Sequence, residues 1–202
     1  KLRKAQEAIM SARPYALKLM DVLHHLSARC NHDAHPLLDN RDGKHWLILV
    51  VTADRGLCGG FNGSITKKAI QVINDNSDKE IQLITAGKKG HASFKNKENK
   101  ILHDHSGWTR DFDYLKAAEI GSTLSALFSK KSIDRVYVLY NEFKSVMQQE
   151  VILEQLLPIV PEKLDTGKLP KEFEVSEAKK MAVCDCGQSS KLPFCDGTHT
   201  KL

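Results

Sequence analysis

The chain has 202 residues, 41% of them hydrophobic and 27% charged, with a formal net charge of +5. That length suits one domain, or one domain with a small appendage, and is enough to bury a core. The basic excess is scattered as isolated pairs, Lys88–Lys89, Lys130–Lys131 and Lys179–Lys180, so the concentrated stripe that nucleic acid demands is missing and no such partner is expected.

Residues 1–29 read as one helix. Leu2, Ala5, Ile9, Ala12, Ala16, Leu19, Leu23 and Leu26 recur at three- and four-residue steps, which places them on a single stripe. Pro14 inside it should bend it. A helix this long with a narrow apolar seam wants a partner helix. Because residue 1 already lies inside the helix, the natural N-terminus is expected upstream. Residues 30–45, with Pro36 and Gly43, read as a loop. His24, His25, Cys30, His32, His35 and His45 gather around it, but no pair has a standard zinc spacing, so solvated histidines are expected.

An alternating pattern follows. Trp46 to Val51 is a continuous apolar run, as expected of a buried parallel strand. A glycine-rich turn leads to helical periodicity from Ile65 to Ile73. Ile81 to Ile84 is a second strand, Gly87 to Phe94 begins another helix, and Ile101 to His103 is a short third strand. Asp113 to Phe128 is helical. Ile133 to Tyr140 is a strand rich in β-branched and aromatic residues. Val146 to Leu157 is a long strand turning back antiparallel. The fold class is therefore α/β: a long N-terminal helix plus a mostly parallel sheet with flanking helices. Residues 161–172, with Pro161, Gly167 and Pro170, read as a linker, and residues 173–202 are too few to form a core without a staple.

The turn Asp54-Arg55-Gly56-Leu57-Cys58-Gly59-Gly60-Phe61-Asn62 follows a strand and opens a helix, the place where phosphate cradles occur. It lacks both G-x-G-x-x-G and the Gly-Lys-Ser/Thr of a P-loop. The expectation is a tight turn whose glycines let strand and helix pack closely, with no nucleotide bound. The same nine residues closely resemble the signature of ATP synthase gamma subunits. Lys1 to Tyr15, Gly87-Lys88-Lys89-Gly90 and Asp134 to Ile159 resemble further gamma segments in the same order. The resemblance divides the chain into a shaft helix over 1–30 and an α/β domain over 31–160. It implies a rotor shaft that couples proton flow to ATP synthesis without catalytic residues of its own. Its implied partners are the alpha, beta and epsilon subunits and the membrane rotor ring. Its implied place is the cytoplasmic side of the bacterial inner membrane, held peripherally. Cys58 is then a packed small residue rather than a nucleophile. Against the family pattern the chain is expected to lack an upstream shaft segment, the second shaft helix and the aromatic–acidic segment after Leu156-Leu157-Pro158-Ile159.

Cys184, Cys186 and Cys195 cluster with His199, which in an unsecreted chain reads as a metal site before a disulfide framework. The run Cys184-Asp185-Cys186-Gly187…Ser190…Pro193-Phe194-Cys195-Asp196-Gly197-Thr198-His199 resembles the CDGSH iron–sulfur motif. The resemblance implies a [2Fe–2S] cluster, with Cys184 and Cys186 on one iron and Cys195 and His199 on the other. Thiolates are the soft ligands such clusters need, and an imidazole in place of one thiolate raises the potential. Zinc, the alternative for this donor set, favours two to four residues between paired cysteines, and Cys184 and Cys186 have one. Residues 173–202 are expected to form a homodimer or to dock on the preceding domain. Three readings stand at this point: a gamma-like stalk subunit carrying a cluster motif, a redox or cluster-transfer protein that keeps a retired gamma domain as scaffold, and a fusion with neither function intact.

Overall fold

The computed structural model describes residues 2–30, 35–97, 100–108, 113–145 and 148–160. By spatial contact the chain divides into two units, residues 1–163 and 164–202. The described residues belong to the first.

Helix α1 (Leu2–Arg29) runs unbroken through Pro14. The loop after it contains a 3-10 turn, Pro36–Leu38, where His35 Nδ1 accepts the Leu37 N–H at 3.2 Å. Strands β1 (His45–Val51), β2 (Glu80–Ala86), β3 (Ile101–His105), β4 (Arg135–Phe143) and β5 (Gln149–Leu157) alternate with helices α2 (Phe61–Asp75), α3 (Lys88–Phe94) and α4 (Tyr114–Ser129). Among the described residues the strands form one sheet in the order β3-β2-β1-β4-β5. The first four are parallel, and β5 returns antiparallel beside β4. The expected α/β layer is present.

The apolar run in β1 makes sense once both faces of the sheet are covered. Leu47 and Leu49 point into a core shared with Ile120, Leu124 and Phe128 of α4. Ile48 and Val50 point to the other side, where Ile65, Ala69 and Val72 of α2 and Phe94 of α3 meet them. Alternate side chains of a strand face opposite ways, so a central strand buried on both faces has no polar positions to spare. Each large side chain buried this way contributes about 1.5–3 kcal/mol. Asp113 opens α4 by accepting the Lys116 N–H at 2.9 Å.

The end of α4 is held by Arg41. Its guanidinium donates to the Phe128 carbonyl at 2.9 Å and lies 4.2 Å over the Phe128 ring. The carboxylates of Asp39 and Asp134 stand 3.5 and 4.0 Å from its other nitrogens. A cation at a helix C-terminus offsets the partial negative charge of the last carbonyls.

Helix α1 lies beside the β4–β5 pair. Arg13 donates to the Phe143 carbonyl at 2.5 Å and sits 3.6 Å from the Glu142 carboxylate. Its apolar residues fall on two stripes, which corrects the single stripe expected. Ile9, Ala12, Ala16, Leu17 and Met20 line a cleft of about 560 Å³ against β4 and β5, and Met20 and Leu23 one of about 520 Å³. Leu19 and Leu26 belong instead to an outward stripe with Ala8, Tyr15 and Val22, all exposed. The two stripes share a helix because one residue of offset rotates a side chain by only about a quarter-turn.

Candidate functional site

The glycine turn after β1 is a scaffolded loop with an exposed tip. Thr52, 2% exposed, follows β1 and accepts the Gly90 N–H on its hydroxyl at 2.8 Å. Asp54 accepts the Lys88 N–H at 3.0 Å and the Gly107 N–H at 2.7 Å through one carboxylate oxygen. It therefore ties the loop to the start of α3 and to the turn after β3. Asn62, at the start of α2, reaches back: its Oδ1 accepts the Ala53 N–H at 2.9 Å, and its Nδ2 donates to the Arg55 carbonyl at 3.2 Å. The loop's geometry is thus set from three elements.

Close packing occurs elsewhere than expected. A Cβ on Gly87 would stand 2.2 Å from the Thr52 carbonyl oxygen, and one on Gly90 2.9 Å from the Thr52 hydroxyl. The strand–helix approach thus depends on Gly87 and Gly90, while Gly59 and Gly63 face open space. Gly59 serves the turn through its φ of +56°. Leu57, also at positive φ, is fully exposed at the tip. Cys58 is exposed, which corrects the expectation of a packed residue; its Sγ lies 3.0 Å from Asn62 Nδ2. The tip stands clear of both core layers, so the thiol meets only its own loop, at Asn62 and the Arg55 carbonyl.

As a phosphate cradle the loop is poorly equipped. The Ala53 N–H is taken by Asn62 and the Phe61 N–H by the Cys58 carbonyl. A cleft of about 480 Å³ beside it, between α2 and α3, is lined by Asn62, Thr66, Lys67, Lys89 and Ser93. Two lysines at an open cleft are an ordinary solvated surface.

Two of the histidines around the first loop serve local structure. His35 caps the 3-10 turn, and His45 stands 3.3 Å from Asp134 and 3.4 Å from Glu80. Among the described residues no three His, Cys, Asp or Glu come together as a metal site. His32 lies outside the described residues, as do Cys184, Cys186, Cys195 and His199. Two titrations are displaced: the hydrogen bond from Lys79 lowers the exposed Asp78 carboxyl, and burial, with the charge and hydrogen bond of Glu154 adding to it, pushes the Tyr140 hydroxyl up to about 12. Tyr140 donates to Glu154 at 3.1 Å beside the α1 cleft. No described helix is long and apolar enough to cross a membrane.

The outward stripe of α1 is the feature that residue-level reading blurred. Positions 15, 19, 22 and 26 are spaced by four, three and four, the spacing of a coiled-coil seam. That spacing was the available signal, and Tyr15 and Val22 were the residues missed. Thr52, Asp54 and Asn62 left no comparable signature, because their roles depend on which strand ends meet.

The sequence pattern of the ATP synthase family matches residues 1–186. The match runs past residue 160, where the residue-by-residue resemblance stops. The chain is 42% identical over 187 residues to the ATP synthase gamma chain of Geobacter sp. (strain M21), covering 92% of this chain and 64% of that one. It is 38% identical over 192 residues to the gamma chain of Chlorobium phaeobacteroides (strain BS1), covering 92% and 65%. It thus spans a little under two thirds of the length of these relatives. A chain of the Tetrahymena thermophila mitochondrial ATP synthase central stalk and c-ring structure matches with a TM-score of 0.49 and 21% identity, over 78% of this chain and 73% of that one. With the family pattern on most of its length, the protein belongs to the ATP synthase family, and the relatives to which it is similar are gamma chains.

Proposed function

We propose that the chain acts as a gamma-type central-stalk subunit of a proton-translocating rotary ATP synthase, with a [2Fe–2S] cluster bound by its C-terminal segment. The observation that supports the stalk role is a 28-residue helix that leaves a coiled-coil stripe bare beside a stiff α/β body. A shaft transmits torque through paired helices, and the bare stripe is where a second helix would lie. The partners of that role are alpha, beta and epsilon subunits and a membrane rotor ring, and the place is peripheral, on the cytoplasmic side of a bacterial inner membrane.

The cluster reading is supported by donor chemistry. Three thiolates and one imidazole, from Cys184, Cys186, Cys195 and His199, suit a [2Fe–2S] group. When bound, such a group supplies one-electron chemistry at a potential raised by its histidine ligand. Residues 173–202 alone bury too little to order a site, so cluster binding would supply much of their folding free energy.

The experiment is co-purification of the full chain with the catalytic hexamer under anaerobic conditions. Iron and acid-labile sulfide are quantified and a visible spectrum recorded on the same sample. Gamma-like stoichiometry with the hexamer supports the stalk role, and its absence overturns it. Two irons and two sulfides per chain support the cluster; zinc without sulfide overturns it.

A further inference from the structure

We draw no further inference here: the strongest candidate, the apolar cleft of about 560 Å³ between α1 and the β4–β5 pair, carries nothing because nothing in the structure shows what covers it.

Discussion

Replacing Thr52 by valine should test how the glycine loop is held. Valine keeps the shape of threonine and removes only the hydroxyl. That hydroxyl accepts the Gly90 N–H at 2.8 Å and lies 3.3–3.4 Å from the Gly87 and Ala86 carbonyls, in a residue only 2% exposed. Without it the Gly90 N–H has no acceptor and no access to water, a penalty of about 1–3 kcal/mol for a buried donor. The expected loss is about 2 kcal/mol, or roughly 4–8 °C in Tm for a unit of this size. Thr52→Ser is the control: it keeps the acceptor and removes one methyl group, costing about 1 kcal/mol. Urea unfolding followed by far-UV circular dichroism gives both numbers, with an unchanged m-value showing that only stability moved. If valine costs less than serine, the hydroxyl does not secure α3 and the reasoning fails.

Gly87→Ala should be more damaging, about 3 kcal/mol or more, because its φ of +111° excludes a side chain and the new Cβ would press on the Thr52 carbonyl; soluble, cooperatively unfolding protein with wild-type stability would refute this. Arg41→Ala removes the cation from the α4 terminus and the stack on Phe128, leaving Asp134 without it; about 2 kcal/mol should be lost, measured in the same urea titration. Tyr140, raised to about 12 in the folded state, should show its phenolate absorbance well above the ordinary pH near 10. A raised folded pKa means this group's contribution to stability is complete below about pH 10 and is lost as pH rises through 12. In Glu154→Gln the phenolate should appear at lower pH, since the nearby negative charge is gone.

The sheet was legible because β1, β2 and β4 are short apolar runs bounded by glycine and charge, and parallel strands buried on both faces must read that way. The return strand was legible down to Leu157, where β5 ends. The 3-10 turn at Pro36–Leu38 was not, since one turn capped by His35 has no periodicity to detect. The role of the glycines was misassigned for a related reason. A glycine-rich turn announces itself in sequence, but which glycine is compressed depends on what another strand brings against it. Here Thr52 presses on Gly87 and Gly90, some thirty-five residues downstream, while Gly59 and Gly60 border an open tip.

Helix α1 shows why a long amphipathic helix under-reports its contacts. Apolar residues at steps of three and four can be collected into one stripe or split into two neighbouring ones, and the pattern alone does not choose. The sheet chooses. Arg13 reaches the Phe143 carbonyl and Glu142, which fixes the helix's rotation about its own axis. Once that face is committed to β4 and β5, Tyr15, Leu19, Val22 and Leu26 have to point away. One charged side chain of the helix thus bears on which of its apolar residues remain bare. Arg13→Leu would remove that constraint while enlarging the apolar surface. The helix would then lose its fixed rotation on the sheet, so urea unfolding should show a lower stability although the helix became more hydrophobic; an unchanged midpoint would refute the anchoring role of Arg13.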